Sequence, residues 1–174
     1  MSLSMSQITV PVFVRALENL SAILAKGEAS AEARKIAPSV LINDRLAPDM
    51  LPLSRQIQIA SDGVKLCVAR LAGVESPAYP DTETTFPELQ ARIAKTIAFL
   101  QSIPTEKIDG SQDKEIVVKF PGMELHFTGL NYVMQMVLPN LYFHSTTTYA
   151  ILRHNGVTIG KMDYLGSVEN HHVA

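Results

Sequence analysis

Four segments of this chain place apolar residues at steps of three and four, the spacing that lines one side of a helix. In the first, about 9–26, the stripe is Val12, Phe13, Ala16, Leu17, Leu20, Ile23 and Leu24. Thr9 stands where a cap is needed. Pro11 falls in the first turn, where a missing N–H costs nothing, and Gly27 is the expected stop. A second helix is expected from Asp49 or Pro52 to about Leu71, with Leu53, Ile57, Ala60, Val64, Cys67 or Val68, and Leu71 inside. Asp49 is its candidate N-cap and Gly73 closes it. The third starts at Thr85, where Thr85-x-x-Glu88 is a capping box, and Pro104 stops it. Its stripe is Phe86, Leu89, Ile93, Ile97, Leu100 and Ile103. The fourth runs from Thr128 or Gly129 to His154 or Asn155. Leu130, Val133, Met134, Val137, Leu141, His144, Thr148 and Leu152 share a face there. Pro139 must kink or split this helix, because its ring clashes with the carbonyl four residues back.

Between helices three and four, Ile116, Val118 and Phe120 alternate with Val117 and Lys119, Pro121-Gly122 turns the chain, and Met123, Leu125 and Phe127 alternate on the return. This is a hairpin, and a lone hairpin is marginal in water, so it must pack on the helices. The expected fold is therefore all-α: a four-helix bundle with a small β-hairpin between helices three and four. Residues 30–34 are expected to give one or two helical turns, 157–166 an extended tail. One domain covers 1–174, with about 167–174, including His171 and His172, as a mobile end.

Composition narrows the function classes. Of 174 residues, 47% are hydrophobic, enough for a real core. The net charge of −2 and the absence of basic blocks argue against a nucleic-acid partner. A single Cys permits no internal disulfide and fits a reducing, cytoplasmic setting. No signal peptide is visible at the N-terminus. The most apolar window, 133–143, is interrupted by Gln135, Pro139 and Asn140, so no membrane partner is expected. G-x-G-x-x-G, Walker, H-E-x-x-H, C-x-x-C, G-x-S-x-G and Glu-x-x-His motifs are all absent.

His144 is the leading candidate for chemistry. It continues the apolar stripe of helix four, and an imidazole inside a bundle needs a partner: a metal, a substrate or a neighbouring polar group. Asn140 lies one turn earlier on nearly the same side. Helix two offers Gln56, Gln58 and Asp62. Gln58 and Asp62 share a face that the helical wheel turns away from the inner stripe, whereas Gln56 flanks that stripe. A helix contacted on two sides would reconcile them. Otherwise Asp62 pairs with Lys65 or Arg55 on a solvated face. His154 sits where the helix dipole favours a cation. His126 is expected on the solvated side of the hairpin, and Cys67 as a buried, inert thiol. Lys161, Asp163 and Tyr164 either anchor the tail or contribute to a ligand site.

Several runs carry a resemblance. They are Arg45-Leu46-Ala47-Pro48-Asp49-Met50, Gln56-Ile57-Gln58-Ile59-Ala60-Ser61-Asp62, Ala69-Arg70-Leu71-Ala72-Gly73, Leu138-Pro139-Asn140-Leu141-Tyr142-Phe143-His144 and Tyr149-Ala150-Ile151-Leu152-Arg153-His154-Asn155-Gly156-Val157. With Ile159-Gly160-Lys161, they resemble a bacterial family known only as a domain of unknown function, grouped with the DinB/YfiT-like superfamily of metalloenzymes. The resemblance covers nearly the whole chain. It implies a bundle with a long crossover connection, often a homodimer, and in some relatives metal-dependent thiol transfer. Superfamily members hold a divalent metal with three histidines, one on helix two and an H-x-x-x-H pair on helix four. By that resemblance the second helix-four ligand is His144, the first falls on Asn140, and the helix-two ligand falls near Gln58, or on Gln56 if the register slips. One of three histidines is therefore present. Amides are poor ligands for zinc or nickel.

Three readings follow. In the preferred one, Asn140, His144 and the polar groups of helix two line a pocket for a small molecule, the metal triad being degenerate. In the second, His144 is a ligand or general base in a transferase or hydrolase that depends on zinc, nickel or manganese. In the third, the polar cluster is a satisfied network and the chain a non-catalytic homodimer.

Overall fold

The apolar stripes form helices in a computed structural model that describes residues 3–167. The elements are α1 (Val10–Ala33), α2 (Pro38–Asn43), α3 (Leu53–Ala72), α4 (Phe86–Ser102), α5 (Thr105–Ile108), β1 (Glu115–Phe120), β2 (Met123–Thr128), α6 (Gly129–Asn131), a π-helical segment (Tyr132–Val137), α7 (Leu138–His154) and α8 (Lys161–Leu165). The chain is mostly helical with one small antiparallel hairpin. Among the described residues no helix is long and apolar enough to cross a membrane. The segment 168–174, which holds most of the expected mobile end with His171 and His172, lies outside the described residues.

α1 runs past Gly27, the expected stop, and absorbs the 30–34 segment. Gly27 serves packing instead. A Cβ there would lie 3.0 Å from a Leu152 methyl and 3.5 Å from the Phe86 ring, so its bare Cα lets two long helices approach. Thr9 does not cap α1; its hydroxyl donates to the Met5 carbonyl at 2.7 Å. α3 starts at the later of the two expected sites, directly after Pro52, so Asp49 is not its cap. Gly73, at φ +67°, ends it in the left-handed conformation. The capping box of α4 forms as expected: the Glu88 N–H donates to Thr85 Oγ1 at 3.3 Å, and Glu88 Oε2 accepts from the Thr85 N–H at 3.0 Å.

The hairpin pairs Glu115 with Thr128 through Phe120 with Met123 around Pro121-Gly122. Gly122 holds the positive φ that the turn needs. Ile116 and Val118 are buried, which seats β1 on the helical core. Pro139 interrupts the fourth helix without ending it. The run 129–154 widens to a π turn just before Leu138, and this places Pro139 in the first turn of α7, where its missing N–H is tolerated. The tail expected to be extended contains α8 instead, because the Asp163 carboxylate accepts the Gly160 N–H at 2.7 Å and caps a short turn.

The long runs touch in a closed ring: α1 on α4, α4 on α3, α3 on α7 and α7 on α1. α3 also meets α2, α5 and the π segment. Its buried side chains therefore lie nearly all round: Gln56, Gln58, Ser61 and Lys65 are buried along with Leu53, Ile57, Ala60, Val64 and Cys67. That many-sided burial is why a polar face of α3 also points inward.

Candidate functional site

His144 is buried, with 8% of its surface exposed. Its Nδ1 lies 2.7 Å from Gln56 Oε1, across the α3–α7 contact. Gln56 Nε2 donates to the Leu51 carbonyl at 2.7 Å. A carbonyl accepts only from the amide nitrogen, so the Gln56 oxygen must face the ring and Nδ1 must carry the proton. The lone pair of the neutral ring is then on Nε2, which makes no hydrogen bond among the described residues. Burial holds the His144 pKa below its ordinary value, so the ring is neutral near pH 7. The Phe143 ring packs edge-on, with centroids 5.2 Å apart.

Asn140, one turn back, is half-buried and faces a different part of α3. Its amide nitrogen would lie 3.3 Å from a Cβ placed on Gly63, so the glycine makes room for it. Asn140, Gly63 and Asp62 line a cleft of about 340 Å³ between α3, β1 and the 129–154 run. Arg55, Arg70 and Asp81 also line it, and Ile59, Val118 and Val137 supply apolar wall. Most of the charges are already spoken for. Arg55 pairs with Asp81, Arg70 hydrogen-bonds the Tyr132 hydroxyl, and Asp62 meets Lys65 at 2.8 Å and Arg92 at 2.9 Å. The Asn140 amide makes no side-chain hydrogen bond among the described residues, so its donors and acceptor remain available.

Gln58 takes no part with His144. It accepts from Arg55 at 2.7 Å and donates to Glu83 at 2.9 Å, on the side facing the loop between α3 and α4. That loop folds its acids around Arg92, which is fully buried and lies 3.0 Å from both Asp81 and Glu83. Lys65 and Lys95 flank the Tyr79 ring at 3.9 and 4.1 Å from its centroid. Burial alone would raise the Asp81 pKa, but hydrogen bonds and charge from Arg55 and Arg92 bring it below the usual value. Sequence reasoning missed Arg92, Tyr79, Asp81 and Glu83 as a unit. The available signal was Arg92 four residues before Thr96 inside α4, two polar side chains beside an apolar stripe.

The sequence candidates thus divide. The structure joins Gln56 to His144, places Asn140 with Asp62 in the cleft, and ties Gln58 to the cluster behind Arg55. Among the described residues no three His, Cys, Asp or Glu side chains are grouped to hold a metal ion. Both amide atoms of Gln56 are engaged, and Asn140 lies against Gly63, so these side chains do not make a triad with His144. Burial pushes the Cys67 thiol up to about 12, which leaves no thiolate for chemistry. His126 is exposed between Glu115 and Glu124, whose hydrogen bonds raise its pKa. His154 reaches Asp44 at 3.2 Å.

A family model described as a domain of unknown function (DUF1993) matches residues 5–165. The fold is similar to the crystal structure of a DinB family member protein from Shewanella denitrificans. The two share 43% sequence identity with a TM-score of 0.86, over 95% of this chain and 94% of that one. No curated protein matches the chain.

Proposed function

The chain belongs to the DUF1993 family, a domain of unknown function, and to the DinB family, and from that premise we propose that it is a DinB-like four-helix bundle that binds a small molecule beside Asn140. In this reading the superfamily's metal triad is degenerate. The observation that carries the reading is the Asn140 amide: it stands unengaged in a cleft of about 340 Å³ whose charged neighbours largely satisfy one another. The volume lies within the range of ligand pockets, roughly 300–1,000 Å³. A neutral amide beside Ile59, Val118 and Val137 suits an uncharged amphipathic molecule, one amide or hydroxyl group on an apolar body. The lining supports binding without a tight metal, since among the described residues it contains no imidazole or thiol and the Asn140 amide is a poor ligand for zinc or nickel. His144 and Gln56 then act as a fixed strut between α3 and α7 that holds Asn140 in place. The test is a thermal-shift screen of small neutral amides and alcohols against the parent and Asn140→Leu. The expected result is a stabilising compound whose effect vanishes in the variant. Equal responses from both proteins would defeat it.

A further inference from the structure

We propose that the cavity between α1, α7 and α8 is a second small-molecule site, distinct from the Asn140 cleft, and that it takes a small amphipathic carboxylate. The cavity measures about 350 Å³. One wall is the apolar face of α1, with Val12, Ala16, Leu20 and Ile23. The opposite wall holds Ser145, which is only 5% exposed and whose hydroxyl has no hydrogen-bond partner among the described residues. Its helical neighbours behave otherwise. Thr147 and Thr148 each donate to the carbonyl four residues back, at 2.8 and 2.9 Å. Ser145 forgoes that bond, and a buried hydroxyl without a partner costs free energy that a bound acceptor recovers.

Charge selects the acceptor. Among the described residues the lining contains Arg15 and Asn19 and no acidic side chain, so the site favours an anion. The carboxylate accepts from the Ser145 hydroxyl, Arg15 supplies the opposite charge, and the hydrocarbon lies along α1.

α8 closes the site as a strap. Asn19 donates to the Tyr164 carbonyl at 3.1 Å, and Arg15 to the Leu165 and Ser167 carbonyls at 2.9 and 3.0 Å. Thr146 donates to the Tyr164 hydroxyl at 3.1 Å, tying the strap to α7. Gly166, at φ +67°, ends α8 where a Cβ would lie 2.1 Å from the Asn19 side-chain oxygen. Glycine there lets Asn19 hold the strap while it lines the cavity.

Calorimetric titration of the full chain with sodium octanoate, and with octan-1-ol as the uncharged analogue, tests the assignment. Octanoate is expected to bind at one site per chain. Arg15→Gln should weaken octanoate about tenfold and leave octan-1-ol within about twofold of the parent. Ser145→Ala should weaken octanoate about threefold or more. Ala16→Phe, which fills the cavity, should abolish octanoate binding, with circular dichroism confirming its fold. Asn140→Leu should leave octanoate binding unchanged, which separates this site from the cleft. No octanoate binding to the parent, or unchanged octanoate affinity in Arg15→Gln and Ser145→Ala, would overturn the proposal whatever the behaviour of Ala16→Phe.

Discussion

His144 Nδ1 and Gln56 Oε1 stand 2.7 Å apart, and the Leu51 carbonyl holds the other end of the Gln56 amide. This chain of contacts assigns the proton to Nδ1 and the lone pair to Nε2 without reference to any ligand. It also joins α7 to the start of α3 through buried polar atoms, where a lost partner is costly.

Replacing Gln56 by Leu leaves the Nδ1 proton of a buried ring unpaired. The expected loss is about 1–3 kcal/mol, read by chemical denaturation. Gln56→Leu combined with His144→Leu should cost less than the sum of the two single changes, since the double change removes the unpaired Nδ1 proton, while the lost contact to the Leu51 carbonyl is common to Gln56→Leu and the double variant. A double-mutant cycle with strictly additive energies would show that the pair is not coupled.

The pH dependence has a definite sign. Burial lowers the His144 pKa, so the unfolded chain binds a proton more readily than the folded one. Stability from the neutral ring is complete above the unfolded value of about 6.5 and is lost as pH falls through the lower folded value. Between pH 6.5 and 5 the parent should lose stability faster than His144→Gln, by at most about 1.4 kcal/mol per pH unit. Parallel curves for the two proteins would contradict this.

Protein purified without a histidine tag and incubated with zinc, nickel and manganese should retain each metal well below one equivalent after desalting. His144→Ala should not change the amount retained. One equivalent of any of the three, lost in His144→Ala, would restore the metalloenzyme reading.

Gly129 opens the fourth helical run against the 111–114 turn. A Cβ there would lie 2.0 Å from the Ser111 carbonyl oxygen, a backbone atom that has no rotamer to yield. Gly129→Ala should therefore cost about 3 kcal/mol, measurable as a fall in the denaturation midpoint with an unchanged slope.

The helices were legible because each apolar stripe repeats through several turns and the Thr85–Glu88 box marks one start outright. Gly27 misled because glycine signals two things, a chain stop and a close helix contact, and only the position of Leu152 and Phe86 tells them apart. α8 was missed because its cap is the side chain of Asp163 reaching back to Gly160, within a segment too short for periodicity to register. At the site, His144 and its flanking partner Gln56 could be read from the helical wheel. The Arg92 cluster could not, because it is assembled by a loop that returns Asp81 and Glu83 to the surface of α3 and α4. Such a contact depends on the path of the chain, which local pattern does not encode.

Binding in the cleft beside Asn140 is proposed to need no metal. The decisive experiment is calorimetric titration of chelator-treated protein with the neutral compound that most stabilises the parent. One-to-one binding, unaffected by added zinc and lost in Asn140→Leu, is the expected result. Binding that appears only after zinc is restored, or that survives Asn140→Leu intact, would contradict it.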